Sequence, residues 1–197
     1  MATVAERIAR LRERYGVQDE TFEADVVALL GRRNHSVASQ APAAATRTYL
    51  TGSAILVKPG KLQIGSCFRW RFSLTKTAAG TAASTYDIAF GTLGTTGDTA
   101  RVSFTKPAGT AAADEGFVDI IAVVRGPIGA SCIVAGQFCM SHNLAATGHL
   151  VIPQAVVNTI SSAFSVAADN LIVGLCVTSG AADAITVQLM QAEAWNL

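Results

Sequence analysis

From about residue 48 onward, apolar and polar positions alternate. Phe68, Trp70, Phe72 and Leu74 are interleaved with Arg69, Arg71 and Ser73. A period of two puts the first set on a buried face and the second in water. Leu171, Val173, Leu175 and Val177 repeat the pattern, as do Ile185, Val187 and Leu189. The alternation predicts strands over 48–57, 66–76, 84–91, 100–105, 116–125, 131–141, 154–166, 170–178 and 184–194. Turn chemistry separates them: Lys58-Pro59-Gly60, Ala79-Gly80, Gly91 to Gly94, Pro107-Ala108-Gly109, Gly126-Pro127 and Ser179-Gly180. About eight or nine antiparallel strands of this length predict a jelly-roll β-sandwich. The Ala/Gly/Thr-rich loops around 78–84 and 108–113 are expected on its surface.

The start of the chain follows a different period. Val4, Ile8, Leu11 and Tyr15 are spaced four, three and four apart, the seam of a coiled coil over 3–15. Glu6 and Arg10 add an i,i+4 pair. So short a helix is marginal in water. Its seam is expected to meet another copy or another protein, or else to fold onto its own domain. Gly16 ends this helix and Asp19 caps a second, whose apolar stripe is Phe22, Val26, Leu29 and Leu30. Gly31-Arg32-Arg33 reads as its stop. Residues 34–47 are rich in Ala, Ser and Pro without periodicity and read as a linker. The expected organisation is therefore a short α-helical segment for anchoring and oligomerisation (1–33), a linker (34–47) and the sandwich (48–197). Val4, Ile8, Leu11, Tyr15, Phe22, Val26 and Leu30 are the expected contacts of the helical segment.

Composition narrows the class. The chain has 197 residues, enough for one good core. Half of its residues are apolar and only 15% are charged, against about a quarter in typical soluble domains. That balance suits a subunit that hides surface in an assembly. The net charge of +1, with no Lys or Arg after Arg125, argues against a nucleic-acid role. Charged residues crowd Met1 to Tyr15, which excludes a signal-peptide core there, and no run of about 18 apolar residues predicts a membrane span. Synthesis in a cytoplasm is the expectation, with Cys67, Cys132, Cys139 and Cys176 as buried, reduced thiols.

The templates of catalysis fit poorly. Gly91, Gly94 and Gly97 form G-x-x-G-x-x-G, neither a dinucleotide fingerprint nor a P-loop, and read as a hairpin tip. No G-x-S-x-G elbow is present. A Cys139–His142 nucleophile pair would put its members on opposite faces of one strand. Cys132, Cys139, His142 and His149 make C-x6-C-x2-H-x6-H, wider than the usual spacing of structural zinc ligands. They read as two strand cysteines and two loop histidines. Asp114, Glu115 and Asp119 read as a solvated turn. Arg69, Arg71, Arg101 and Arg125 read as outward-facing residues that pair with carboxylates across an oligomer interface. No catalytic residue, metal ligand or cofactor is expected.

Several segments carry a resemblance. Thr51-Gly52-Ser53, Leu62-Gln63-Ile64-Gly65, Phe68-Arg69-Trp70-Arg71, Thr75 to Ala83, Phe90-Gly91-Thr92 through Thr99-Ala100-Arg101, and the final Gln191 to Leu197 resemble a β-rich domain of virion proteins from tailed phages, especially those of actinobacteria. The resemblance covers most of residues 48–197 and its motifs are structural. It implies a jelly-roll sandwich in a structural, minor-tail or head-decoration protein. Together with the helical seam, it predicts a non-enzymatic virion subunit. That subunit would be attached through its N-terminal helices and partnered by itself, as a homotrimer, and by other phage structural proteins. The alternative is a carbohydrate-binding or host-receptor-binding module whose exposed aromatics contact a surface glycan, with Tyr49, Tyr86 and Trp195 as candidates.

Overall fold

The computed structural model describes Glu6 and residues 32–144, 147–149, 154–168, 170–180 and 185–197. Within them the strands are β1 (Arg32–Ser36), β2 (Arg47–Tyr49), β3 (Ile55–Val57), β4 (Cys67–Lys76), β5 (Ser84–Gly91), β6 (Thr99–Lys106), β7 (Asp114–Val124), β8 (Val134–His142), β9 (Gln154–Ile160), β10 (Leu171–Ser179) and β11 (Ile185–Trp195). One sheet has the order β1-β11-β4-β7-β8-β9, and the other β2-β10-β5-β6 with β3 also on β10. The strand pairs are antiparallel and nested. β5 pairs with β6, β4 with β7, β2 and β3 with β10, and β1 with β11. Each pair encloses the one before, and successive pairs fall in opposite sheets. That nesting is jelly-roll connectivity. The β8–β9 hairpin extends one edge of the first sheet.

Alternation explains the core. Phe68, Trp70, Phe72 and Leu74 of β4 face Tyr86, Ile88 and Phe90 of β5, and all are buried. Rings from the two sheets interleave: Phe72 lies 5.9 Å from Tyr86, Tyr86 5.1 Å from Phe138, and Phe138 5.9 Å from Phe104. Each ring contributes about 2–3 kcal/mol on burial, and each ring pair about 0.5–1.5 kcal/mol more. Trp70 keeps its indole N–H satisfied by donating to the Ser53 carbonyl at 2.8 Å.

Three departures from the sequence pattern have physical causes. First, eleven strands stand where about eight or nine are expected. The 48–57 stretch is two strands, because Gly52 (φ +82°) turns the chain there. A Cβ at Gly52 would stand 2.5 Å from the His35 carbonyl carbon and the Ser36 nitrogen, so β1 passes too closely for a side chain. Second, Arg32–Ser36, read as helix stop and linker, is β1, held by β11 in the register Asn34 to Ala192. Gln40 exchanges backbone bonds with Val187 at 2.9 and 2.8 Å, and Ala45 donates to Ser179 at 2.8 Å. Much of the expected linker is therefore strapped to both sheets. Third, 154–166 stops being a strand at Ile160, and Phe164 returns to bridge Cys132. The seam Val4, Ile8, Leu11 and Tyr15 and the stripe Phe22, Val26 and Leu30 lie outside the described residues.

Candidate functional site

The outer face of the six-stranded sheet divides into two halves. In one half, charges pair within the chain. Arg69 Nε donates to Asp119 Oδ1 at 2.8 Å, and Arg71 approaches Glu193 at 3.4 Å. Arg69 and Arg71 thus find their carboxylates within their own chain, where the sequence suggests carboxylates of another copy. Both pairs run diagonally across the ladder, since β4 meets β7 at Arg71–Asp119 and β11 at Arg69–Glu193.

The other half is an open groove of ≈ 570 Å³. Register lays it out in rows. Ser73, Phe117 and Ser141 stand side by side on β4, β7 and β8, and Thr75 faces Glu115 in the next row. Asn143 joins that second row by donating its amide to the Glu115 carbonyl at 3.0 Å. On the β11 side the register shifts between Val187 and Met190, so Gln188 and Leu189 together oppose Ser73. Such a bulge re-aims side chains, and Gln188 lines the groove. Phe117 is 44% exposed although it sits mid-strand. A second groove of ≈ 560 Å³ continues from the first, sharing Thr75, Glu115 and Asn143.

Behind this end of the sheet lies a buried polar cluster. Asp114 Oδ2 bonds His142 Nδ1 at 2.7 Å and accepts from the His149 amide at 3.0 Å. Lys76 Nζ donates to the carbonyls of Thr77, Thr110 and Ala112, and Lys106 Nζ to that of Pro107. The His142 and His149 rings meet edge to face at 5.8 Å. Burial, then the Lys106 charge, lowers His149 to about 4. Burial, then the Lys76 charge, brings Lys106 down to about 8, and burial also lowers Lys76. For Asp114, burial acts upward, but the His149 amide, the His142 ring and the Glu115 amide outweigh it and lower the carboxyl. His149 is the loop residue expected, though buried, while the expected loop position of His142 and the solvated turn at Asp114 are corrected. His142 and Asp114 are strand residues, and the cluster pins three loops where they meet. Cys132 is a free thiol, and the described residues contain no metal-ligand group. Cys139 alternates outward on β8 while His142 faces Asp114, so they form no nucleophile pair.

The three aromatics expected at a glycan are not brought together. Tyr86 is fully buried between Phe72 and Phe138. Tyr49 covers Gly174 on the other sheet with its hydroxyl enclosed and unbonded among the described residues. Burial raises that phenol strongly. Trp195 is 38% exposed at the end of β11. Sequence reasoning passed over Phe117, whose signal was an aromatic at a polar-face position between Gly116 and Val118.

No family model and no curated protein matches the chain. Among solved structures, it overlaps the CBM2 module of the evolved Dit of Lactobacillus casei BL23 phage J-1, at 10% identity and a TM-score of 0.30, over 73% of this chain and 69% of that one. A legume lectin-like domain from Entamoeba histolytica overlaps at 10% identity and a TM-score of 0.24, over 81% and 89%. A beta-fructofuranosidase from Schwanniomyces occidentalis overlaps at 6% identity and a TM-score of 0.24, over 82% and 33%. At these scores none of the three carries an argument about this chain's site.

Proposed function

We propose that this chain is a non-enzymatic structural subunit of a tailed-phage particle, attached through its N-terminal segment with the jelly roll projecting outward. One observation carries the reading: the segments that resemble phage virion domains fall on the framework of the sandwich. Thr51-Gly52-Ser53 forms the turn between β2 and β3, where Ser53 receives the Trp70 indole. Phe68 to Arg71 lies in the first half of β4. The Phe90 to Arg101 segment is the β5–β6 connection, where Asp98 accepts from the amides of Leu93 and Gly94. Gln191 to Leu197 closes the first sheet, and Asn196 accepts from Gln63 and Ser66.

The test is incorporation into particles. Deletion of residues 1–31, which leaves β1 whole, is expected to yield a folded sandwich that no longer joins virions. Incorporation of the truncated chain at the normal level would overturn the anchor. A homotrimer is the oligomer expected of the full chain, and a stable monomer in mass photometry at micromolar concentration would contradict it.

A second reading, contact with a host-surface glycan, is favoured by the open groove around Phe117. Retention of the full chain on cell-wall polysaccharide supports it, and a flat response across polysaccharides opposes it.

A further inference from the structure

The paired and unpaired halves of the first sheet differ in what they can hold. Arg69 and Arg71 face carboxylates of their own chain. In the groove, by contrast, the Glu115 carboxylate has no ion-pair partner among the described residues. The side-chain amides of Asn143 and Gln188 likewise have no hydrogen-bond partner there. Lys76, the cation at the second groove, directs its ammonium to three backbone carbonyls. Among the described residues the groove therefore offers hydroxyls, two amides and one unpaired carboxylate around a single exposed ring, with no free cation.

We infer that this double groove binds a neutral oligosaccharide, with Phe117 as the platform for one sugar ring. The inference rests on the glycan-contact reading and gives it a site and a ligand class. A pyranose has an apolar face of C–H groups and a rim of hydroxyls. An aromatic face carries negative potential and attracts the slightly positive C–H groups. Phe117 suits that role because its in-register neighbours are Ser73 and Ser141, side chains too short to cover the ring. Hydroxyls both donate and accept, and the Asn143 and Gln188 amides do the same. The Glu115 carboxylate accepts only, which favours a hydroxyl pair over a carboxylated sugar. Each groove falls within the roughly 300–1,000 Å³ of small-ligand sites. Their shared wall of Thr75 and Glu115 fits a chain of linked sugars better than a single ring. A second protein copy is a poorer occupant. Phe117 and Leu189 are the exposed large apolar residues here among those described, far short of the roughly 800 Å² per partner of a stable interface.

The full chain is titrated by saturation-transfer NMR with maltotriose, cellotriose, galactotriose and arabinotriose, and with trigalacturonate as the acidic control. The expected result is saturable binding of at least one neutral trisaccharide in preference to trigalacturonate. Phe117→Ala should weaken it tenfold or more, and Gln188→Ala and Glu115→Gln should weaken it less. Leu93→Ser, in the β5–β6 connection of the other sheet, should leave it unchanged. Thermal unfolding confirms that each variant is folded; Phe117→Leu, which keeps an apolar side chain without a ring, replaces the alanine variant if that variant unfolds. Binding that survives loss of the ring overturns the site, and preference for trigalacturonate overturns the ligand class. Failure of all neutral trisaccharides, while the full chain still adsorbs to actinobacterial cell walls, overturns the inference and leaves the glycan-contact reading standing. Failure of both overturns that reading as well.

Discussion

Arg47 grips Asp87 through its guanidinium while also holding the loop that follows β5. Its Nε donates to Asp87 Oδ2 at 3.0 Å, and Nη1 donates to the carbonyls of Thr96 and Asp98 at 2.7 Å each. The Asp87 side chain is only 5% exposed. Arg47→Ala would strand a buried carboxylate and release residues 92–98. A loss of about 3 kcal/mol is expected, since breaking a buried ion pair costs about that much or more. Arg47→Lys should recover only part, because an ammonium cannot form the fork. Urea unfolding of the three proteins checks this, and an alanine variant as stable as the parent would contradict it.

Gly174 lies under the Tyr49 ring, and a Cβ there would stand 1.8 Å from the phenol oxygen. Gly174→Ala should destabilise the sandwich by about 1–3 kcal/mol, the usual cost of overpacking. Combining it with Tyr49→Ala should return part of that loss, because the clash disappears. A double-mutant cycle by chemical denaturation reads the coupling directly. Strict additivity would remove Tyr49 as the cover of this face.

Acid should loosen the end of the sandwich that carries His149. Its folded value of about 4 lies below the ordinary 6.5, so the unfolded chain binds the proton more readily between those limits. Stability is then complete above pH 6.5 and falls toward pH 4, by up to about 3 kcal/mol from this group. Asp114, also lowered, adds a loss in the same direction at more acid pH. Lys106 acts in another window: lowered from 10.5 to about 8, it makes stability rise as pH climbs between those values. The groups facing His149 are Lys76 on β4, Lys106 on β6, Asp114 on β7 and His142 on β8. Unfolding midpoints measured from pH 4 to 7 should slope upward in the parent and flatten in His149→Gln. Equal slopes in both would contradict the assignment.

Thiol reactivity should separate the cysteines. Cys67 is pushed by burial to about 11 and Cys176 to about 12, and burial raises Cys132. Cys139, half-buried on the outer face, is the accessible thiol. Ellman's reagent should titrate Cys139 first in the folded protein and the other three only on unfolding. Rapid reaction of all four in the native state would contradict the burial.

The sandwich was legible because apolar residues recur at every second position in its central strands, β4 and β10; burial follows that period in β4, while β10 is buried throughout from Val173 to Val177. β1 was not, because Arg32-Arg33-Asn34-His35-Ser36 has no apolar face; backbone bonds to β11 create that strand. The groove was hidden for a related reason. Alternation tells which residues face outward, but only cross-strand register places Phe117 between Ser73 and Ser141. The β11 bulge that brings in Gln188 has no glycine or proline to mark it. The buried polar cluster was hidden because Asp114 and His142 lie 28 positions apart and only the fold brings them together.

The most direct test of the central proposal is quantitative mass spectrometry of gradient-purified particles from a phage lysate in which this chain is made. The account predicts the chain in the particles at a fixed copy number divisible by three. Its recovery only in the soluble lysate, with none in purified particles, would contradict the account.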